Sequence, residues 1–153
     1  MASPRVHVLN GPNLNLLGIR EPDVYGHEGL DAVLELCQEV ATRHGLELCF
    51  RQTNAEHRLI EWLHEARTDA GIVINPAAFS YHSVAILDAL KICECPIVEV
   101  HISNIHRREE PWRPQSIMTA AATGMITGLG IHGYPLAVEH LAWLLRHSPT
   151  RRV

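Results

Sequence analysis

The stretch G-I-V-I-N-P-A-A-F-S-Y-H-S-V-A-I-L-D-A-L-K-I-C-E-C-P-I-V-E-V-H, residues 71–101, decides the fold. Gly71 to Ile74 is a short apolar run of the kind that forms a buried strand, and Ile97 to Val100 is another. Ser83 to Ile92 between them reads as a helix. The same alternation extends both ways along the chain. Val6 to Leu9 reads as a strand, Leu30 to Ala41 as a helix, Leu46 to Phe50 as a strand and Glu56 to Ala66 as a helix. Past the central stretch, Met125 to Leu129 reads as a strand and Leu136 to Arg146 as a helix. Five short strands separated by helices predict an α/β fold: an open three-layer sandwich of flavodoxin type, with a five-stranded parallel sheet covered on both faces.

At 153 residues the chain fits one domain, with a core over about 5–146 and a frayed tail at 147–153. With 46% hydrophobic and 20% charged residues the composition is that of a globular protein, which excludes disordered and collagen-like classes. The net charge of -4 supplies no basic field for nucleic acid or an anionic membrane, so neither is an expected partner and a small molecule is. No apolar run reaches membrane-span length, and Met1 to Pro4 is too short and polar to begin a signal peptide, so the expected compartment is the cytoplasm. Cys37, Cys49, Cys93 and Cys95 have neither C-x-x-C nor zinc-ribbon spacing and are expected to be reduced. The only lysine, Lys91, lies toward the end of an apolar helix, which argues against Schiff-base chemistry.

In a sheet of this kind the ligand crevice lies beyond the carboxyl ends of the strands, where strand order reverses. Strand one ends at Asn10 and runs into N-G-P-N-L-N-L-L-G-I-R-E-P-D-V-Y-G, residues 10–26. Strand three ends in Asn75-Pro76-Ala77-Ala78 and strand four in Glu99-Val100-His101-Ile102-Ser103-Asn104. All three converge on one crevice. The segment from Ser103 to Thr123, which carries His106, Arg107, Arg108, Glu109, Glu110 and Arg113, is long for a connection and reads as a functional loop.

Within the first loop, Arg20 and Tyr25 suggest a phenolate base. Bringing a tyrosine from a pKa of about 10 to near neutrality costs roughly 3 to 4 kcal/mol. A unit charge about 4 Å away at an effective dielectric near 20 supplies about 4 kcal/mol. The competing reading is a plain N-G-P-N turn with a surface arginine. On strand four Glu99 and His101 point to the same face. A carboxylate there fixes the imidazole tautomer and favours its protonated form, which makes a general acid; a structural hydrogen-bonded pair is the alternative. Backbone N–H groups at Ile102 and Ser103 suit a carboxylate or phosphate, although a plain turn would look the same. Glu99, His101 and His106 are not expected to bind metal, since no second histidine shares the strand face. G-L-G-I-H-G at 128–133 matches a dinucleotide fingerprint, but no later strand ends in the acidic residue that fingerprint requires. Its glycines instead suit a tight turn and close helix packing. Response-regulator chemistry would want acids where Asn10 and Asn75 stand, and no hydroxyl-rich loop after strand one suits FMN.

Together these segments resemble the type II 3-dehydroquinate dehydratases over about residues 5–146. The shared motifs are N-G-P-N-L-N-L-L-G-x-R-E-P-x-x-Y-G at 10–26, N-P-A-A-F at 75–79, E-V-H-I-S-N at 99–104, R-E-E at 108–110 and G-x-G-I-x-G-Y at 128–134. The resemblance implies an anti elimination of water from 3-dehydroquinate through an enolate, with no metal and no cofactor. It implies Tyr25 as base, Arg20 stabilising its phenolate, and Asn13 positioning a water at the enolate oxygen. It makes His101, oriented by Glu99, the acid that protonates the departing hydroxyl. Asn75 with the backbone of Ile102 and Ser103 would hold the carboxylate, and Asp88 would reach a neighbouring subunit's site. The implied assembly is a homododecamer, a tetramer of trimers, with a lid over residues 19–25 that closes on substrate.

The sequence departs from the family pattern twice. After N-P-A-A-F the family continues Ser or Thr, then His, whereas this chain has Ser80-Tyr81-His82-Ser83. A shift of one position on a helical turn swings a side chain by about 100°, so His82 is expected to miss the substrate and leave Tyr81 in its place. After R-E-E the family reads F-R-H, whereas this chain has Pro111-Trp112-Arg113-Pro114. A one-residue insertion aligns Trp112 with the phenylalanine and Arg113 with the family's substrate-binding arginine and is preferred because it restores Ser116 downstream, although Pro114 still replaces a histidine; without the insertion Trp112 takes the arginine's place. Both departures fall on the face that recognises ring hydroxyls, which leaves open a diverged relative acting on another hydroxy-keto acid. An inactive assembly scaffold is a weaker alternative, since it has no need of Arg20, Tyr25, Glu99 and His101 together.

Overall fold

Strands β1 (Arg5–Asn10), β2 (Glu47–Gln52), β3 (Gly71–Asn75), β4 (Ile97–His101) and β5 (Gly124–Thr127) form one sheet in the order β2-β1-β3-β4-β5. Every neighbouring pair is parallel. The structure, a computed structural model, describes residues 2–19, 21, 23, 27–111 and 115–148. The helices are α1 (Leu30–Arg43), α2 (Glu56–Ala66), α3 (Val84–Ile92) and α4 (Gly133–His147). The order 2-1-3-4-5 is that of the flavodoxin-like sandwich, as the alternation of strands and helices implied.

Alternation along the strands sorts the core into two layers. Val6 and Val8 of β1 pack with Val73, Val98 and Val100 beneath α1 and α4, whose Val33, Cys37, Val138 and Leu141 are buried. Leu9, Ile72, Ile74 and Ile97 face the other way, beneath α2 and α3. On α2 the buried residues Leu59, Leu63 and Ala66 recur at helical spacing, and each fully buried leucine contributes about 1.5–3 kcal/mol. Cys37, Cys93 and Cys95 are buried within these layers, and Cys49 is partly buried.

Element boundaries shift where backbone chemistry overrides the apolar pattern. β5 ends at Thr127 rather than running to Leu129, because Gly128 turns to φ +87° and gives its N–H to the His101 carbonyl at 3.1 Å. A Cβ at Gly128 would also lie 2.8 Å from Asn104 Cβ. Helix α4 starts at Gly133, three residues before the apolar pattern does. Pro135 falls in its first turn, where a missing N–H leaves no helical bond unmade. The glycines of the 128–133 motif therefore shape a turn and a helix start. At its other end α4 extends one residue into the expected tail, through His147.

This topology fixes where a ligand can sit. β2 lies on one side of β1 and β3 on the other, so the connections leaving β1 and β3 part company, and a crevice opens at their carboxyl ends. Asn10 and Asn75 are register partners at that edge, and β4 ends beside them at His101.

Candidate active site

A cleft opens at this point, lined by Pro12, Asn13, Asn75, Tyr81, His101, Ile102, Ser103 and Arg108 together with Leu14, Leu17, Ala77 and Ala78. Its walls come from the ends of three strands and from the loop after β4. The chain is strained at its rim. Asn13 and Ala77 both hold positive φ, 68° and 51°, conformations that cost a non-glycine residue about 1–3 kcal/mol and gather at functional sites.

Glu99 and His101 meet as their spacing on β4 predicts: His101 Nε2 donates to Glu99 Oε2 at 2.5 Å. Glu99 is wholly buried and His101 nearly so. The second carboxylate oxygen, Oε1, accepts from the Thr119 hydroxyl at 2.7 Å. Burial pushes the Glu99 carboxyl up, but hydrogen bonds from His101, Ser116 and Thr119, together with the His101 charge, outweigh it and hold Glu99 below the ordinary carboxylate range. The carboxylate is thus ionised, and it engages Nε2, so Nδ1 is the ring nitrogen left to exchange a proton in the cleft.

Beside His101 the backbone carbonyls face the end of β5. The His101 carbonyl accepts from Gly128 N–H and the Ile102 carbonyl from Gly130 N–H, at 3.1 and 3.0 Å. Among the described residues all peptides are trans, so the N–H groups of Ile102 and Ser103 point the opposite way, away from β5. Across the cleft, Asn75 Oδ1 accepts from Ala77 N–H at 3.1 Å, and Asn75 Nδ2 donates to the Tyr134 hydroxyl at 2.8 Å.

Tyr81 lines the cleft and His82 does not. The 3-10 turn at Ala77–Tyr81 steps side chains by about 120°, and His82, which caps it at φ -149° and ψ -13°, is exposed. The His82 ring lies edge-on to Phe79, with centroids 6.1 Å apart. His82 was expected both as a substrate-binding candidate and as the residue that misses; its ring is outside the cleft wall. The Tyr81 hydroxyl accepts from Arg108 Nη1 at 3.3 Å, and Arg108 Nη2 donates to Ser103 Oγ at 2.8 Å. The sequence places Arg108 in the long loop and in the R-E-E motif without a role of its own, yet it bridges two walls of the cleft. Thr119 and Tyr134 are further partners to which the sequence assigned no role.

Asn13 sits at the rim, its N–H on Asn54 Oδ1 at 2.9 Å. Asp88 is exposed on α3 and does not line the cleft of its own chain. Arg20, Tyr25 and Arg113 lie outside the described residues. Among the described residues no group of three or more His, Cys, Asp or Glu side chains is gathered as a metal site would require.

With this geometry in hand, comparison with known proteins is decisive: the Dehydroquinase class II family matches residues 4–142. The chain belongs to the class II dehydroquinase family. It is 55% identical over 145 residues to a 3-dehydroquinate dehydratase of Methylobacterium radiotolerans, covering 94% of this chain and 97% of that one. It is also 55% identical over 144 residues to 3-dehydroquinate dehydratase 2 of Pseudomonas putida, covering 94% and 96%. Among solved structures, the type II dehydroquinase of Propionibacterium acnes superposes with a TM-score of 0.87 at 46% identity, covering 92% of this chain and 97% of that one. This dehydroquinase-family member is therefore similar to those enzymes along nearly its whole length.

Proposed function

We propose that this protein is a 3-dehydroquinate dehydratase, a hydro-lyase that converts 3-dehydroquinate to 3-dehydroshikimate by anti elimination of water. The observation that carries the reading is the His101 imidazole, held by the buried Glu99 carboxylate in the same cleft that Asn75 and Ser103 line.

The steps balance with an acid and a base alone. The Tyr25 phenolate, stabilised by Arg20, removes the C2 proton, and the electron pair moves onto the C3 oxygen as an enolate. A water held by Asn13 stabilises that oxygen. The enolate then collapses, forming the C1–C2 double bond and expelling the C1 hydroxyl, which leaves as water with a proton from His101. Asn75 and the N–H groups of Ile102 and Ser103 hold the substrate carboxylate, while Tyr81 and Arg113 serve to bind the ring hydroxyls. No step calls for a metal or a cofactor.

We further infer a homododecamer, built as a tetramer of trimers, in which Asp88 reaches a neighbouring copy's cleft. The exposed apolar side chains Val84 and Ile92, 60% and 56% accessible on the helix that carries Asp88, support burial of that face against another copy. The protein acts in the cytoplasm, in aromatic amino acid biosynthesis by the shikimate pathway or in quinate breakdown; its buried thiols suit a reducing compartment.

The test is direct. Purified protein added to 3-dehydroquinate produces a conjugated enone carboxylate followed by its ultraviolet absorbance, and Tyr25→Phe abolishes the signal. A flat trace from folded wild-type oligomer overturns the reading.

A further inference from the structure

Tyr134 is completely buried, carries no charge and lies outside the cleft wall, yet its hydroxyl ties together the ends of two strands. It donates to Asn10 Oδ1 at 2.7 Å and accepts from Asn75 Nδ2 at 2.8 Å. Asn10 Nδ2 donates in turn to the Arg51 carbonyl on β2 at 3.1 Å.

The direction of each bond in this chain is dictated by its first member. A backbone carbonyl can only accept, so the Asn10 nitrogen faces Arg51 and the Asn10 oxygen faces Tyr134. That oxygen also can only accept, so it takes the single proton of the Tyr134 hydroxyl. A hydroxyl whose proton is committed can only accept from its other neighbour. Asn75 must therefore present nitrogen to Tyr134 and oxygen elsewhere. The Ala77 N–H, donating to Asn75 Oδ1 at 3.1 Å, reaches the same assignment from the other side. An Asn75 amide free to flip would offer the cleft an acceptor half the time. Here it cannot flip, and its nitrogen carries a second hydrogen beyond the one given to Tyr134. Burial pushes the Tyr134 phenol well above its ordinary value, against a smaller lowering by Asn75, so the hydroxyl stays protonated wherever the enzyme works.

We propose that Tyr134 is a positioning residue: through Asn10 it locks the Asn75 amide with Nδ2 as a donor to the anionic group of the substrate. This inference rests on the dehydratase reading, in which Asn75 meets the carboxylate of 3-dehydroquinate. Its signature lies in binding, because a contact made equally to ground state and transition state moves KM and leaves kcat in place.

Tyr134→Phe keeps the ring in its pocket and removes only the hydroxyl. Steady-state kinetics on 3-dehydroquinate are expected to show KM raised about ten- to hundredfold, the loss expected for one hydrogen bond to a charged group, with kcat changed less than about threefold. In an Asn75→Ala background the same substitution should raise KM no further, since the group it orients is gone. Asn10→Leu removes the acceptor that directs the Tyr134 proton and repeats the test should Tyr134→Phe fail to fold. A folded variant that melts lower but retains wild-type KM and kcat overturns the proposal and leaves Tyr134 a purely structural tie. A fall in kcat at unchanged KM overturns it as well. Wild-type protein that does not turn over 3-dehydroquinate is a different result, and it defeats the dehydratase reading on which the inference rests.

Discussion

The Thr119 hydroxyl donates to Glu99 at 2.7 Å, on the carboxylate oxygen that His101 does not use. The carboxylate that orients the imidazole is therefore itself held, by a side chain from the loop before β5. Removing that donor lets the Glu99 carboxyl drift upward, since hydrogen bonds to the ionised form are what outweigh its burial. Thr119→Val is expected to lower kcat about tenfold and to move the acidic limb of the kcat profile to higher pH. Thr119→Ser, which keeps the hydroxyl, should restore both. A pH–rate profile of the valine variant superposable on wild type would show that the bond does not bear on catalysis.

Glu99 also links activity to acid stability. Its folded-state carboxyl lies below the ordinary value, so its contribution is fully present above an unfolded pKa of about 4.3 and is lost as pH falls through the lower folded value. Glu99→Gln keeps the shape but cannot stabilise a protonated His101. We expect turnover to fall by about two orders of magnitude or more, in the range typical of general-acid catalysis. Urea titrations between pH 7 and pH 3 should show wild type losing more stability than Glu99→Gln. Parallel losses in the two proteins would contradict the sign of the shift.

Arg108 clamps the cleft from above, with one guanidinium nitrogen on Tyr81 and another on Ser103. A lysine at this position keeps the charge but cannot span both partners, because an ammonium lacks the planar fork. Arg108→Lys should reduce kcat/KM about ten- to hundredfold while the melting temperature moves by only a few degrees. Retained kcat/KM would make the two bonds incidental. Tyr81→His, which restores the family's residue type, should leave kcat/KM within about tenfold of wild type, with the change confined to KM.

The elements that the sequence disclosed are those whose signal is local. Buried parallel strands are continuous apolar runs, so β3 and β4 could be read off directly, and their last residues, Asn75 and His101, had to reach the crevice once the alternation of strands and helices was recognised. Glu99 and His101 were legible as a pair because two residues apart on a strand means one face. Thr119 was not, because it lies twenty positions from Glu99 along a sequence that carries no strong period between them. Tyr134 lies 59 positions from Asn75 and 124 from Asn10, so only the folded sheet brings the three together. Which of Tyr81 and His82 enters the cleft turned on a single 3-10 turn and the residue that caps it. The end of β5 was not legible, because Ile126 and Leu129 continue the apolar run across Gly128 and composition alone does not reveal a φ of +87°.

Cys37 predicts behaviour at the other end of the pH scale. It is fully buried on α1 beneath the sheet, and burial pushes its thiol up to about 12. A raised pKa means the folded state holds a proton that the unfolded chain releases. Stability from this group is thus complete below an unfolded pKa of about 8.5 and is lost as pH rises toward the folded value. The slope approaches about 1.4 kcal/mol per pH unit for one group. Tyr134, raised by burial in the same way, adds to the loss only above about pH 10. Cys37→Ala removes the first titration and leaves the second, at the cost of a small cavity. Its stability deficit relative to wild type should therefore be largest near pH 8 and shrink steadily toward pH 10, measured by urea unfolding under reducing conditions. A deficit constant over that interval would mean that the Cys37 thiol ionises in the folded protein as readily as in the unfolded chain.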